Sequence, residues 1–482
     1  MKLHVFFSVL ERIFGPIVET LRRDHGLGSV SGFVWGVDQV QVLRELGVSA
    51  APLTVFSRDI LANLDDRPAD VAYLAEWERR CGVPIQHMIF AERHLISRHP
   101  YDRLLRLTEL IFRRVESDFD TLRPDAYFSE DVACLTSFIH WAVARDRGVK
   151  ITFLNNARFP GRVTTYSNPF QQWDLLDAVF PETPTGYLSD DDLTDADKFL
   201  NEFRERPTRM PGLAFRARLD VISKFDLTRL RIAARRWRED PGNPTLRSPG
   251  EVLLQRGRRL ARSYVADARG LFDRSVEGER YVLYPLHLQP EATTLVLAPY
   301  YLNQLALIED IAKSLPIGHW LYVKEHVISR GRWPLSFYEA IRRVPGVRLL
   351  SADEDAIALI RNAAAIAVIT GTMGWEGILL DKPVVTFGRV FFNRYSLVHR
   401  AGELPKVNLP SVMRQAIFEH QSDPALLRRF VACALRATFP GITGNPASLP
   451  IILEPDNVKN LTRVVGSRLG LMPPLRGGLR AA

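Results

Sequence analysis

The stretch Tyr-Val-Leu-Tyr-Pro-Leu-His-Leu-Gln-Pro-Glu (281–291) is an apolar strand pattern that breaks into a polar turn. Two further stretches repeat this design: Trp320 to Lys324, followed by Glu325-His326, and Ala365 to Thr370, followed by Gly-Thr-Met-Gly-Trp-Glu-Gly (371–377). Helical patterns between these strands predict βαβ units and a parallel sheet. Ligands of such sheets bind at the carboxyl ends of the strands, so the site is expected to form from residues 284–291, 324–327, 370–377 and 388–394.

The length and composition indicate a globular chain with more than one domain. A chain of 482 residues is too long for a single core, and 46% of its residues are hydrophobic. The three cysteines, Cys81, Cys134 and Cys433, are far apart and lack the Cys-x-x-Cys spacing of a zinc ribbon. This cysteine pattern favours a reducing compartment.

The N-terminus predicts the first strand of a fold rather than a targeting segment. Its apolar run, Leu3 to Leu10, is followed at once by Glu11 and Arg12 and is too short for a signal peptide. No run in the sequence approaches the roughly 18–20 apolar residues of a membrane span. We therefore expect a cytoplasmic protein that can also lie peripherally at the inner membrane.

The excess of positive charge is concentrated in residues 201–280. This segment has 19 Lys and Arg against 11 Asp and Glu, and the difference of 8 equals the formal net charge of the whole chain. Such a segment can bind an anionic membrane surface or an anionic substrate, but it can equally be a set of solvated, Arg-rich helices. Nucleic acid is disfavoured as a partner, because no recognition motif accompanies the charge.

The first part of the chain also alternates between strand and helix patterns. Strand candidates are Leu3 to Phe7, Ser31 to Trp35, Pro52 to Phe56, the stretch that ends at Glu130-Asp131, and Lys150 to Leu154. Residues 158–166 are expected to form a basic, turn-rich loop. The predicted organisation is an N-terminal Rossmann-like domain (1–200), a basic helical linker or insertion (201–278), a C-terminal Rossmann-like domain (279–440), and a C-terminal helix and tail (441–482).

Two Rossmann-like domains facing a cleft are typical of GT-B glycosyltransferases, and four motifs resemble one family of them. These motifs, at 285–293, 321–326, 370–376 and 382–388, resemble the bacterial capsule polysaccharide biosynthesis proteins, which include the β-Kdo transferases of capsule assembly. The resemblance covers residues 280–392 well and the first half loosely.

The resemblance implies a site for the nucleotide phosphate of a CMP-linked sugar. In these transferases a His-Pro motif and a turn rich in Ser and Thr hold that phosphate. His326 matches the histidine, although Val327 stands where proline is usual. Thr370 and Thr372 match the hydroxyl-bearing turn, and Glu376 matches an acidic residue one helical turn further on.

The turn at 370–377 supports phosphate binding on physical grounds as well. Gly371 and Gly374 allow close approach of the backbone, and the helix that follows directs free N–H groups and its positive dipole end at an anion. The threonines add hydroxyl donors, and Glu376 can accept hydrogen bonds from ribose hydroxyls. The alternative is a tight strand-to-helix turn with a threonine cap and no ligand.

Neighbouring polar residues have similar alternatives. His326 can contact a phosphate or leaving-group oxygen and can be protonated near neutral pH, or it can be a structural histidine. Lys324 is a candidate for an added phosphate contact. The first turn of the domain can line the donor site, or its prolines can simply shape a loop; its polar residues are His287, Gln289 and Glu291.

Glycosyl transfer also needs a base or a stabilising carboxylate, which GT-B enzymes usually supply from the N-terminal domain. Glu130 and Asp131, at a strand end, are the candidates; the alternative is a helix cap formed by Ser129 or Asp131. Arg158 and Arg162 are candidates for binding an anionic acceptor, or they are surface charge. No metal cluster or cofactor motif is apparent, and transfer is expected to be metal-independent.

The sequence therefore predicts a glycosyltransferase that moves a sugar from a nucleotide-sugar donor to a surface polysaccharide or its lipid-linked primer. The expected partners are the donor, a glycan or glycolipid acceptor and the polysaccharide assembly machinery of the inner membrane. Two other functions stay open: a UDP-sugar 2-epimerase-like enzyme, and a non-catalytic component of a polysaccharide synthesis or export complex.

Overall fold

The computed structural model describes residues 1–48, 52–170, 172–180, 188–207, 227–446 and 449–475 of the chain. The chain divides into two compact units. The first unit comprises Met1–Ala178, Thr228–Pro249 and Arg436–Ala482, and the second comprises Val179–Leu227 and Gly250–Leu435. A helix that the sequence predicts over 213–224 lies outside the described residues.

The strands of the described residues are β1 (Lys2–Ser8), β2 (Ser29–Val34), β3 (Leu53–Val55), β4 (Ala126–Ser129), β5 (Lys150–Asn156), β6 (Arg162–Tyr166), β7 (Tyr281–Pro285), β8 (Trp320–Lys324), β9 (Val347–Leu350), β10 (Ala365–Val368), β11 (Val384–Thr386), β12 (Val398–Arg400) and β13 (Phe439–Pro440).

The α-helices of the described residues are α1 (Glu11–Asp24), α2 (Val37–Glu45), α3 (Val71–Cys81), α4 (Ile85–Phe90), α5 (Tyr101–Leu122), α6 (Leu135–Asp146), α7 (Asp174–Asp177), α8 (Asp190–Glu205), α9 (Leu227–Glu239), α10 (Pro249–Ala268), α11 (Ala292–Leu295), α12 (Gln304–Ser314), α13 (Leu335–Arg343), α14 (Ala356–Asn362), α15 (Thr372–Leu379), α16 (Leu409–Arg414), α17 (Pro424–Arg436) and α18 (Pro455–Leu469).

The first unit is built on a seven-stranded sheet of order β13-β6-β5-β4-β1-β2-β3. Strands β1 to β5 are parallel, whereas β6 runs antiparallel to β5 and β13 antiparallel to β6. The central strand β1 is buried continuously from Leu3 to Phe7. An unbroken apolar strand of this kind is typical of a parallel sheet that is covered on both faces.

The second unit is built on a six-stranded, fully parallel sheet of order β12-β11-β10-β7-β8-β9. Its core contains apolar residues of every layer, including Val282 of β7, Val323 of β8, Ile341 of α13 and Ala367 of β10. The two α/β units, each with a largely or fully parallel sheet, confirm the predicted fold class.

The compact units differ from the predicted domain boundaries at the C-terminus. Residues 441–482 were expected as a separate helix and tail, but Phe439 of β13 pairs with Val163 of β6. Helix α18 packs on α1, where an added Cβ at Gly466 would lie 2.9 Å from Leu21 Cδ2. Strand β13 and helix α18 therefore belong to the first unit.

The predicted basic linker also divides between the units. Asp240, just after α9, accepts hydrogen bonds at Oδ2 from Ser57 Oγ (2.8 Å) and from the backbone N–H of Val37 (2.9 Å), which attaches this part to the first unit. In α10, Arg259 donates to the carbonyl oxygens of Ile328 and Arg330 at 2.8 Å each, which attaches that helix to the second unit. The described parts of the predicted linker therefore each contact one of the two units.

The expected loop at 158–166 is partly wrong. Residues 162–166 form β6, because Leu154 pairs with Thr165 and Asn156 with Val163 in an antiparallel register. The run of β-branched residues Val163, Thr164 and Thr165 is a strand signal that the prediction does not use.

The core of the first unit contains a histidine that stays neutral well below neutral pH. His140 of α6 donates from Nδ1 to the carbonyl of Thr136 (2.8 Å), and its Nε2 is buried without a partner among the described residues. Burial lowers the pKa of His140 to about 4. The ring packs between Phe33 and Tyr127, so protonation would place a charge among aromatic rings.

We predict that the first unit loses stability as the pH falls from about 6.5 to about 4, because His140 gains a proton in the unfolded chain before it does so in the folded chain. In this window the unfolded chain binds the proton and the folded chain does not, so the unfolded state gains about 3 kcal/mol from this residue. His140→Leu should remove that part of the pH dependence, as measured by urea denaturation across the window. The same comparison at about pH 8, where His140 is neutral in the folded and the unfolded chain, measures the effect of the substitution on packing alone. If the free energy of unfolding of His140→Leu depended on pH as that of the wild type does, His140 would not be the residue responsible.

Candidate active site

The candidate donor site lies at the carboxyl edge of the second sheet. Strands β7, β8 and β10 are neighbours and parallel, so the turns that follow them share one edge. Those turns contain His287, His326 and Thr370 to Thr372. The structure therefore brings together three of the stretches that the sequence nominated.

The side chain of Gln304 in α12 holds the turn at His287 in place through two hydrogen bonds. Its Oε1 accepts the backbone N–H of His287 (2.7 Å), and its Nε2 donates to the His287 carbonyl (3.0 Å). The buried His287 ring then accepts the backbone N–H of Thr370 at Nε2 (3.2 Å). His287 thus connects the turn after β7 to the turn after β10. Burial, and then the nearby His326, lowers the pKa of His287 to about 3, which keeps the ring an acceptor.

The two threonines of the 370–372 turn have different environments. Thr370 is buried, and its hydroxyl donates to the carbonyl of Thr293 (3.1 Å), so the expectation that it offers a donor to a ligand is wrong. Thr372 is the first residue of α15, is half-buried, and its hydroxyl has no hydrogen bond to a residue that the structure describes. The first amides of a helix also lack partners within it. Thr372 and the start of α15 are therefore the open donors of this turn.

The two glycines of the turn also have different roles. An added Cβ at Gly371 would lie 3.0 Å from His287 Nε2, so the glycine allows the turn to approach the histidine. At Gly374 an added Cβ would lie 2.7 Å from Val368 Cγ2 and 3.0 Å from Phe392 Cζ. Gly374 is buried against the core, so the expectation that it admits a ligand to the backbone is corrected to a packing role.

His326 lies at the end of β8 as a neutral ring. Its Nδ1 accepts the backbone N–H of Ile328 (3.1 Å), which leaves Nε2 as the protonated nitrogen of the neutral tautomer. Burial lowers the pKa of His326 to about 4, and the positive charges of Lys324 and Arg332 add to this effect. The expectation of protonation near neutral pH is wrong, and the neutral ring carries its N–H at Nε2.

The ammonium group of Lys324 contacts backbone carbonyl oxygens. Its side chain is buried, and Nζ donates to the carbonyl oxygen of Ala352 (2.9 Å), with longer contacts to those of Ser351 and Glu325 (3.5 Å each). These carbonyls already surround the ammonium group, so the phosphate contact expected for Lys324 is replaced by a structural role.

Glu325, between Lys324 and His326, is a buried carboxyl group that the sequence prediction did not single out. Its Oε1 accepts a hydrogen bond from the Tyr338 hydroxyl, and its Oε2 has no partner among the described residues. Burial raises the pKa of Glu325 to about 7.

The other predicted donor residues support or flank the turn. Gln289 Nε2 donates to the Leu302 carbonyl (3.0 Å), and its Oε1 accepts from Gln304 (3.1 Å), so its amide shapes the loop. Glu291 accepts from the Thr293 hydroxyl (3.0 Å) at the start of α11. Glu376 lies one turn along α15 from Thr372 and is half-buried.

The candidate acceptor site lies in the first unit, where β4 ends. Asp131 Oδ1 accepts the backbone N–H of Val132 (2.7 Å), and its Oδ2 accepts from the amides of Asn155 and Gln172 (3.3 Å each). Burial raises the pKa of Asp131 to about 7. Burial also raises the pKa of Glu130, against a smaller opposing effect of Arg93.

The helix-cap alternative for this pair is excluded. Helix α6 begins after Cys134, and the Ser137 hydroxyl accepts the backbone N–H groups of Ala133 and Cys134 (2.9 and 3.1 Å). Neither Ser129 nor Asp131 caps the helix. Sequence reasoning missed Asn155 and Gln172 as partners of Asp131, although the Asn155-Asn156 pair at the end of β5 was a visible signal.

The two predicted acceptor arginines are held differently. Arg162 donates from Nε to the Thr438 hydroxyl (2.6 Å) and from Nη2 to the Thr438 carbonyl (2.8 Å), which ties β6 to the C-terminal segment. Arg162 therefore has a structural contact, and its position does not require a bound glycan acceptor. Arg158 is half-buried in the turn before β6.

The described residues lack both a metal-binding cluster and a membrane-spanning helix. No group of three or more His, Cys, Asp and Glu side chains there is arranged to hold a metal ion. Within the same part of the chain, no helix has the length and apolar character that crossing a membrane requires.

Comparison with known families confirms the predicted resemblance for the segment that contains the donor site. Residues 249–406 match the family described as capsule polysaccharide biosynthesis protein. This segment includes β7 to β12 and the turns at 287, 326 and 370–376. Among curated proteins, none matches the chain.

Several solved structures are distantly similar. The β-Kdo 2,4-transferase of Thermosulfurimonas dismutans KpsC is 12% identical, with a TM-score of 0.37 over 71% of this chain and 87% of that one. The β-Kdo 2,7-transferase of the same KpsC is 15% identical, with a TM-score of 0.33 over 68% and 82%. A co-structure of S. aureus MnaA with UDP is 13% identical, with a TM-score of 0.29 over 98% and 99%. Values this low establish no shared function.

The two threonines should respond differently to removal of the hydroxyl. Thr370→Val leaves the Thr293 carbonyl without its partner and should lower the free energy of unfolding by about 1–3 kcal/mol. Thr372→Val is a matched change at a hydroxyl without a partner and should alter it by less than about 0.5 kcal/mol. Urea denaturation measures both, and equal destabilisation by the two variants would contradict the contacts described.

Proposed function

We propose that this chain is a glycosyltransferase that transfers a sugar from a nucleotide-sugar donor, with CMP-Kdo as a candidate, to a growing capsular or other surface polysaccharide or its lipid-linked primer. The observation that carries the proposal is the open start of α15, which lies at the same sheet edge as the turn at His326, within the segment 249–406 that matches the capsule polysaccharide biosynthesis family. An acceptor made at the inner membrane would bring the chain to its cytoplasmic face and to the assembly machinery there.

The donor phosphate would bind at the start of α15. The free amides and the positive dipole end of the helix favour an anion at this position, and the Thr372 hydroxyl adds a donor. His326 offers Nε2–H from a neutral ring, so it can donate to a phosphate oxygen without first gaining a proton. Glu376, one turn further along, would accept hydrogen bonds from ribose hydroxyls.

These contacts would also assist the departure of the nucleotide. Negative charge accumulates on the phosphate as the glycosidic bond breaks, and donors that are already in place stabilise that charge without reorganisation. The His287 and Gln304 contacts hold the turn in position before the donor arrives. Lys324 is left out of this donor set, because carbonyl oxygens surround its ammonium group.

The acceptor hydroxyl would be activated in the first unit by Asp131. A carboxyl group with a pKa of about 7 suits a general base near neutral pH, since it is deprotonated often enough and still binds a proton strongly. The amides of Asn155 and Gln172 fix the orientation of Oδ2. Glu130 would be a second carboxyl group at the same strand end, and Arg158 would contact an anionic acceptor.

A thermal-shift panel tests the donor site. The purified chain is measured with CMP, CDP, UDP, GDP and TDP, because a ligand that binds the folded state raises its melting temperature. We expect the melting temperature of the wild type to rise selectively with nucleotides of one base. In His326→Ala and in Thr372→Val the rise should be smaller, by the amount that about tenfold weaker binding produces. A CMP-selective shift supports a Kdo-like donor.

Thr370→Val is the matched control for the panel, because it removes a hydroxyl that already has a partner. Its nucleotide-induced shift should equal that of the wild type once its own lower melting temperature is subtracted. If no nucleotide shifts the wild type at millimolar concentration, the enzyme proposal fails in favour of a non-catalytic component. Interconversion of a UDP-sugar without an acceptor would favour the epimerase alternative.

Transfer activity should depend on the ionisation of Asp131. The rate should rise as the pH increases through about 7, because only the carboxylate can accept the proton of the acceptor hydroxyl. Asp131→Asn should lower kcat by about 10²–10⁴-fold while the nucleotide thermal shift is retained. Asn155→Ala should move the rise to higher pH, since it removes a hydrogen bond that favours the carboxylate; an unchanged profile in both variants would exclude Asp131 as the base.

A further inference from the structure

The turn that contains His326, residues 326–332, lies against helix α10. The two backbones approach closely at Gly331, where an added Cβ would overlap the carbonyl oxygen of Arg259. Gly331 has a φ of +70°, a conformation that glycine adopts more readily than other residues. Helix α10 therefore packs directly on the turn, close enough for its side chains to hold the turn in position.

Arg259 of α10 holds the centre of this turn at two carbonyl oxygens. Its Nη2 donates to the carbonyl of Ile328 and its Nε donates to the carbonyl of Arg330, each at 2.8 Å. The side chain is half-buried and forms no ion pair with a residue that the structure describes. A guanidinium group presents its donors in a rigid plane, so two such bonds fix the orientation of the backbone that accepts them.

Ile328 connects Arg259 to the ring of His326. Arg259 binds the carbonyl oxygen of Ile328, and the backbone N–H of Ile328 donates to Nδ1 of His326 (3.1 Å). A neutral imidazole that accepts a hydrogen bond at Nδ1 has its proton on Nε2, so this bond selects the tautomer of His326. The position of the ring proton therefore depends on the residue that Arg259 holds.

Arg330 attaches the same turn to α10 by a separate route. Its side chain is 3% exposed and donates to the Ser263 hydroxyl (3.0 Å) and to both oxygens of Asp267 (2.8 and 2.7 Å), which are residues of α10. It also donates to Asp353 (2.6 Å), after β9. These side-chain bonds do not involve Arg259, so removal of the Arg259 guanidinium should leave the turn attached to the helix.

We propose that Arg259 is a positioning residue for the donor site: it fixes Ile328 so that His326 has its proton on Nε2 and presents that N–H to the donor phosphate. The proposal rests on the phosphate contact proposed for His326 above. In the other tautomer Nε2 has a lone pair, which repels a phosphate oxygen. The residue that selects the tautomer therefore decides whether His326 attracts or repels the donor.

Nitrogen NMR of the full chain with isotope-labelled histidine tests the positioning role, because protonated and unprotonated ring nitrogens have distinct chemical shifts. The signals of His326 are those that disappear in His326→Ala. At a pH of about 7.5, where the ring is neutral, we expect the Nε2–H form in the wild type. In Arg259→Met, which keeps the apolar stem of the side chain, we expect a mixture of the two tautomers.

The consequence for binding is measured by titration with CMP, or with UDP if the thermal-shift panel selects it. The affinity of Arg259→Met should be about fivefold weaker than that of the wild type, since a hydrogen bond to the phosphate is weakened. Arg262→Met is the matched control, because Arg262 lies on the same helix and donates to the carbonyl of Arg332 (3.0 Å), away from Ile328. Its ring spectrum and its nucleotide affinity should equal those of the wild type.

Arg259→Lys keeps a cation that can reach a carbonyl but not the planar pair of donors, so its tautomer ratio should lie between those of the wild type and Arg259→Met. This variant also decides the matter if the methionine variant does not fold. The Nε2–H form kept in both Arg259 variants would overturn the proposal, and so would an equal tautomer change in Arg262→Met or an unchanged affinity beside a changed tautomer. The ring spectrum needs no nucleotide. If no nucleotide binds the wild type while the tautomer responds to Arg259, the proposed function fails and the control of the His326 tautomer by Arg259 stands.

Discussion

The donor edge of the second unit depends on the two hydrogen bonds between the Gln304 side chain and the His287 backbone and on the one that the Thr370 N–H donates to the His287 ring. They use both polar atoms of the Gln304 side chain and one ring nitrogen to connect turns that are 83 residues apart. A parallel sheet brings its strand ends to one edge, but it does not by itself fix the loops beyond them. The buried His287 does so, and it leaves the Thr372 hydroxyl and the start of α15 open.

Burial has opposite effects on the ionisable groups of the two strand edges. It lowers the pKa of His326 to about 4 and raises that of Asp131 to about 7, because a buried site disfavours the charged form of either group. At neutral pH His326 is a neutral ring with an N–H, and Asp131 can both lose and bind a proton. Both properties suit the transfer chemistry, and neither follows from residue type alone.

The sheets could be predicted from the sequence, whereas the contacts of individual side chains could not. Continuous apolar strands followed by polar turns identified β7, β8 and β10, because that pattern is local. The pairing of Phe439 with Val163 joins residues 276 positions apart, and no local sequence pattern predicts it. Thr370 and Thr372 are alike in sequence, yet one hydroxyl is bound to a carbonyl and the other is open, since strand direction and helix start orient them differently.

The sequence alone also does not predict which positive charges have partners. The sequence places the whole excess in 201–280, but in the described part of that segment Arg259 is bound to two carbonyl oxygens, Arg235 is paired with Glu239, and Arg236 is paired with Asp38 of another helix. By contrast, Arg12, Lys459 and Arg463 are exposed and have no partner among the described residues, although they come from stretches of nearly balanced charge. A sum over a window counts charges, whereas a surface potential depends on which charges have partners, and tertiary pairing decides that.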